Sequence, residues 1–179
     1  TPSFVQNLAN RRIAVMLPLG FASGLPLALT AGTLQAWLTV VGLDLKTIGI
    51  FTLVGLPYTL KFLWAPLMDR LVPPWLGRRR GWMLVMQISV ALGLAAMAVT
   101  GPGQRPEILG ILALVVAFLA ASLDVVFDAY RTDVLLHPER GFGVAVWVNG
   151  YRCALLLASA GALLLADRIG WQYTYLVLA

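Results

Sequence analysis

Residues 108–132 read ILGILALVVAFLAASLDVVFDAYRT, uncharged from Ile108 to Leu123 and then carrying Asp124, Asp128 and Arg131. A stretch of ~20 apolar residues is long enough to cross a bilayer, and only a helix satisfies its own backbone there. Working outward, further runs of this kind span Ile13 to Leu38, Thr47 to Met68, Trp82 to Thr100 and Gly143 to Ala166, and a sixth begins at Trp171. Short connections join them: Val41–Lys46, Arg70–Gly81, Gly101–Glu107, Asp133–Phe142 and Asp167–Gly170. The pattern predicts an all-α membrane protein. Composition agrees, with 60% hydrophobic and 12% charged residues against about a quarter charged in soluble domains, and a mean hydropathy of +0.84. A secretory signal would explain one short apolar run, not six.

The net charge of +5 does not point to nucleic acid. Basic residues collect in alternate loops: Arg11, Arg12, Arg70, Arg78, Arg79, Arg80 and Arg140, with Arg131 at a helix end, against Lys46, Arg105 and Arg168 on the other side. The positive-inside rule therefore places the N-terminus in the cytoplasm. Cys153 lies inside a span and His137 in a loop; neither has companions that would make a disulfide, a metal set or a catalytic nucleophile–base pair. No enzyme, metal or cofactor is expected. The chain begins at Thr1 and stops within the apolar run from Trp171, and so reads as a fragment whose sixth helix is cut short.

In the first span, Pro18, Gly20, Gly24 and Pro26 weaken the helix and allow close packing. Two readings are open: a contact face through Ala22, Ser23 and Gly24, or a bend beside a substrate cavity. Trp37, Trp82 and Trp171 read as interfacial anchors, and Gln35 and Asn149 need hydrogen bonds at depth.

Four ionisable residues stand inside spans: Lys61, Asp124, Asp128 and Arg152. A charge at bilayer depth costs at least ~2.5 kcal/mol, so such groups face a bundle interior or a cavity. By helical rise, Lys61 and Asp128 sit ~12 Å from their cytoplasmic ends and Arg152 and Asp124 ~18 Å from theirs. Depth thus pairs Lys61 with Asp128 and Arg152 with Asp124. Asp124, Asp128 and Arg131 share one helix face. Two carboxylates one turn apart do not both ionise cheaply. Arg131 keeps Asp128 charged, and Asp124 is the group expected to exchange a proton, within a coupled pair. The other reading is a static network that fixes helix packing. Asn149, Tyr151 and Arg152 form a candidate substrate set, with Lys61 or Arg152 gripping a carboxylate.

The second loop carries Asp69 and Arg70, then Gly77, Arg78, Arg79 and Arg80. It resembles the Gly-x-x-x-Asp-Arg-x-Gly-Arg-Arg loop of the major facilitator superfamily, with Ala65 in place of the first glycine and an insertion before Gly77. The resemblance implies a cytoplasmic gating latch. Asp167-Arg168 before Gly170-Trp171 echoes Asp69-Arg70 before Gly81-Trp82 on the opposite side of the membrane, as a 3+3 inverted repeat would. Longer stretches, residues 20–27, 34–38, 44–49, 57–70 and 127–133, look like the muropeptide permease family (AmpG-type) within that superfamily. This implies that residues 1–179 are the six-helix N-terminal transmembrane half of a bacterial inner-membrane permease, with its C-terminal half absent. Such permeases import anhydro-muropeptides from the periplasm and are driven by the proton gradient. Implied partners are the cell-wall fragment, the lipid bilayer and the protein's own C-terminal half. A related transporter of another anionic solute such as an acetyl-CoA-like compound, and a non-transporting scaffold on the same fold, are the alternatives.

Overall fold

The computed structural model describes residues 10–70, 78–103 and 105–179, with the side chains of Asp69 and Arg78 left aside. All regular structure among the described residues is helical. Four stretches are long and apolar enough to cross a membrane: Arg11–Val40, Arg79–Thr100, Pro106–Val134 and His137–Ile169. They coincide with the first, third, fourth and fifth expected spans.

The first span consists of α1 (Arg11–Ala14), α2 (Met16–Thr30) and α3 (Gly32–Val40). The expected second span is not one helix. It is α4 (Leu45–Phe51), a 3₁₀ turn (Thr52–Gly55), α5 (Leu56–Leu60), a second 3₁₀ turn (Lys61–Leu63) and α6 (Ala65–Arg70). Glycines at 49 and 55 and prolines at 57 and 66 account for the interruptions, since glycine loses most backbone entropy and proline has no N–H for the ladder. The third span is α7 (Arg78–Thr100) and the fourth α8 (Pro106–Val134). The fifth joins α9 (Arg140–Leu156) through a π turn (Leu157–Gly161) to α10 (Ala162–Ile169), and α11 (Trp171–Leu178) follows.

The helix ends have local causes. Asn10 accepts from the Arg12 amide at 3.1 Å, and Asp44 from the Thr47 amide at 3.1 Å, each meeting an orphan donor of a first turn. Gly170, at φ 84°, ends α10 in a conformation that a Cβ would oppose.

Backbone contact between α2 and α9 organises the bundle. A Cβ on Gly20 would stand 2.1 Å from the Trp147 carbonyl oxygen, one on Gly24 2.7 Å from that of Tyr151, and one on Gly150 2.1 Å from that of Leu17. The helix therefore runs unbroken through Pro18, Gly20, Gly24 and Pro26, and its two glycines serve as a packing face. The discontinuity falls further on, at Ala31, with φ and ψ both −105°. There Leu29 O accepts the Tyr175 hydroxyl at 2.7 Å, and the Thr33 hydroxyl donates across to Ala158 O of the π turn at 2.5 Å. Bonds of this kind satisfy backbone carbonyls in lipid where helical winding departs from ideal.

Two apolar clusters fill the bundle. One, around Leu34, Leu94, Met97, Val116 and Tyr175, ties the first span to the third, fourth and sixth elements. The other, around Ile13, Met16, Leu123, Phe127 and Val146, lies toward the opposite end. Trp37 is not an interfacial anchor: it is 3% exposed, stacked on Trp171 at 5.9 Å and tilted against Tyr175 at 4.9 Å. Many large apolar side chains face outward, among them Leu53, Phe62, Val99 and Leu164, as expected where the surroundings are hydrocarbon.

Gly150→Ala is expected to force α2 and α9 apart and to cost about 1–3 kcal/mol, whereas Gly32→Ala, with open space around it, leaves stability unchanged or raises it. Thermal unfolding of the two full-length variants in detergent checks this; equal melting would contradict the contact. A second expectation concerns Asp44, whose carboxyl the Thr47 hydroxyl and amide hold below the usual aspartate range. Because the folded value is depressed, the cap is complete above that range and is lost as pH falls through the lowered value. Protection of the Thr47 amide against hydrogen exchange, taken relative to its intrinsic rate at each pH, should therefore fall in acid, and Asp44→Ala should remove that change in protection.

Candidate functional site

The charged face of α8 meets three other spans. Asp124 and Asp128 stand one turn apart, and Lys61 lies between them, its Nζ 3.8 Å from Asp124 Oδ2 and 3.6 Å from Asp128 Oδ2. Ser23 of α2 donates its hydroxyl to Asp124 Oδ1 at 2.5 Å. Arg131 Nη2 donates to Asp128 Oδ1 at 2.9 Å, and its guanidinium lies 4.7 Å from the centre of the Trp147 ring. Trp147 in turn stacks on Tyr151 at 5.5 Å. Two cations thus balance two carboxylates.

The contacts are unequal. Arg131 holds Asp128 at the distance of a charge-assisted hydrogen bond, whereas Lys61 approaches both carboxylates only to 3.6–3.8 Å. Lys61 is shared rather than docked. Burial is graded too, with Asp124 15% exposed, Lys61 32% and Asp128 45%. Asp124 is the deeper acid and lacks an arginine, which is the asymmetry expected from spacing along the helix.

Pairing by depth holds for Lys61 with Asp128 but fails for Arg152. That residue is exposed and forms no ion pair with Asp124, which is partnered by Lys61 and Ser23 instead. Depth fixes height along a helix and not the direction in which a side chain points. The face of α9 that meets α2 carries Trp147, Gly150, Tyr151 and Ala154; Arg152, two residues past Gly150, falls on the far side. The set Asn149, Tyr151 and Arg152 separates for the same reason. Tyr151 is half-buried against Gly24, while Asn149 is exposed and donates to Ala145 O of its own helix at 2.9 Å.

On the arginine-rich side, Arg79 Nε donates to Asp133 Oδ2 at 3.0 Å and ties the start of α7 to the end of α8. Asn10 Nδ2 donates to Glu139 Oε1 at 2.7 Å and ties the first span to the turn before the fifth. Arg70 and Arg80 are exposed. Gly77 and the side chains of Asp69 and Arg78 lie outside the described residues, and with them the centre of the expected latch. His137 and Cys153 are exposed, and among the described residues no group of three His, Cys, Asp or Glu side chains could hold a metal ion.

Sequence reasoning passed over Ser23 as an acid partner, and it passed over Trp64, whose Nε1 donates to Ser122 Oγ at 3.0 Å. A hydroxyl among small residues on a helix in lipid was the available signal for Ser23. Lys61→Met leaves two carboxylates without their shared cation. It is expected to lower stability by about 1–2 kcal/mol, discounted from a fully buried pair because the site is partly open. Arg152→Met should leave melting unchanged; an equal loss in both variants would contradict the geometry.

A family model described as acetyl-coenzyme A transporter 1 matches residues 12–103, taking in Ser23 and Lys61 and ending before the acids of α8. The chain is 56% identical over 169 residues to the anhydromuropeptide permease of Escherichia coli K12 and equally to that of Escherichia coli O157:H7. The alignment covers 94% of this chain and 34% of each relative. An uncharacterized protein of Haemophilus influenzae is 39% identical over 174 residues, 97% of this chain and 41% of its own length. The chain thus spans 34–41% of the length of these curated relatives.

Proposed function

Because this chain belongs to the family described as acetyl-coenzyme A transporter 1, we propose that it forms the N-terminal, six-helix half of a proton-coupled importer of anhydromuropeptides. The observation that carries the coupling is Lys61 shared between two carboxylates inside apolar helices. Such charges mark ion and substrate pathways. The cargo rests on the likeness to relatives named anhydromuropeptide permease. A 3+3 inverted repeat is supported by the packing: the first span meets the fifth, the second meets the fourth, and α7 of the third meets α11. Exchanging the two three-helix units maps each of these pairings onto another or onto itself.

In this reading a proton taken up at Asp124 removes one of the two negative charges that hold Lys61. The ammonium is then free to serve Asp128 alone or a carboxylate of the substrate, while Arg131, lying over Trp147, keeps its hydrogen bond to Asp128. The change in partner biases which side of the bundle opens, and this half rocks against the other around a midplane site. Arg152, exposed on α9, stays available as a second cation for an anionic cargo. The protein sits in the bacterial inner membrane with its N-terminus in the cytoplasm. A second reading, an importer of acetyl-CoA-like compounds, is favoured by the description of the family model alone.

Vesicles containing the full-length transporter should take up labelled anhydromuropeptide when a proton gradient is imposed. Unlabelled anhydromuropeptide should compete and acetyl-CoA should not. Competition by acetyl-CoA would favour the second reading, and absence of anhydromuropeptide uptake both with and without the gradient would overturn the first. Asp124→Asn should lose roughly tenfold or more of the gradient-driven rate while substrate exchange continues.

A further inference from the structure

Three helix ends meet on the side of the bundle that carries Lys46, Arg105 and Arg168. α3 ends at Val40, α7 at Thr100 and α10 at Ile169. Each is followed within two residues by a glycine at positive φ: Gly42 at 84°, Gly101 at 56° and Gly170 at 84°. Between them lies a cavity of about 490 Å³, lined by Trp37, Val41, residues 99–103 and residues 169–173, a size that small ligands fill. The charged face of α8 contributes nothing to this lining.

The cavity suits a cation. Helical carbonyls point toward the C-terminus, where the last of them lack ladder donors and leave a partial negative charge. Cap amides return to Trp37, Leu38 and Thr39 in α3, to Met97 in α7 and to Ala166 in α10. The carbonyls beyond, such as those of Val40, Thr100 and Ile169, have no ladder donor ahead of them. Pro102 brings no N–H to meet them. Trp37 and Trp171, stacked at 5.9 Å, line the cavity with Tyr173, and a ring face attracts a cation. Gln172 Nε2 lies 3.5 Å from where a Cβ on Gly101 would stand, and its amide oxygen is a further acceptor. Among the described residues no carboxylate lines the cavity. A divalent metal ion would therefore lack charged ligands, whereas an ammonium needs only acceptors and rings.

The surroundings indicate what carries that ammonium. Val41, Val99, Ile169 and Tyr173 line the cavity yet are exposed, a rim fit for hydrocarbon, at the span ends where lipid head groups lie. Arg105 and Arg168 flank two of the lining segments in the chain and are exposed, as cations for a phosphate would be. We propose that this cavity binds the head group of phosphatidylethanolamine, with its ammonium among the helix-terminal carbonyls and rings. A primary ammonium donates hydrogen bonds to carbonyls and a choline does not, so the site selects ethanolamine. It stands apart from the Lys61 network and is independent of the cargo.

Native mass spectrometry of the full-length transporter in detergent, titrated with dioleoyl lipids, tests this. One phosphatidylethanolamine should be held more tightly than phosphatidylcholine or phosphatidylglycerol. Tyr173→Ala should weaken it roughly three- to tenfold, the scale of one ring on a cation, and Gln172→Ala should weaken it too. Leu92→Ala, an exposed apolar change on α7 outside the cavity, should leave it unchanged. Equal retention of the three lipids, a preference for phosphatidylglycerol, or equal binding by wild type and Tyr173→Ala overturns the proposal. Glycerophosphoethanolamine, which has no acyl chains, separates a lipid from a free amine: competition at the lipid's own concentration overturns the lipid assignment. Should Tyr173→Ala fail to fold, Gln172→Ala decides.

Discussion

The contact on which the rest depends is the approach of α2 to α9, backbone against backbone, through Gly20, Gly24 and Gly150. In hydrocarbon no hydrophobic effect drives helices together, so association relies on close packing and on the bonds that packing permits. Three missing Cβ atoms allow that closeness. Once the two helices lie in contact, the directions of their remaining side chains are set. Ser23 is turned toward Asp124, Trp147 lies under Arg131, and Arg152 is carried to the outside.

A rigid pair of helices on one side is set against a segmented span on the other. The second span alternates α and 3₁₀ winding, and it carries the one cation that both acids share. Mid-helix 3₁₀ winding often marks a place where a helix gives way. The anchored pair Arg131–Asp128 and the loosely held Lys61 therefore divide the charge network into a fixed part and a part free to change partner. That division suits the proposed transport cycle, in which the charge network changes partner while the surrounding bundle keeps its packing.

Backbone carbonyls near Ala31 and in the π turn also accept bonds from other helices. Tyr175 donates to Leu29 O and Thr33 to Ala158 O, the kind of cross-helix bond that steadies irregular winding in lipid. Both lie toward the end of the first span that holds Trp37, where Trp37 stacks on Trp171 and meets Tyr175 at a tilt.

The amino-acid sequence by itself determined that the chain is helical and built for a membrane, because length and apolarity are properties of a segment and need no neighbour. It also determined which charges lie at depth, and that Asp124, Asp128 and Arg131 share a face, because helical periodicity is local. Ranking Asp124 as the acid without an arginine followed from the same spacing. The tertiary structure decided the partners. Depth matched Arg152 to Asp124, yet rotation about the axis of α9 is set by the glycine contact, which has no signature in hydropathy. The second span read as one helix for a related reason: apolarity reports what lies in the bilayer, while the winding of each turn depends on glycine, proline and the carbonyl partners that other helices supply.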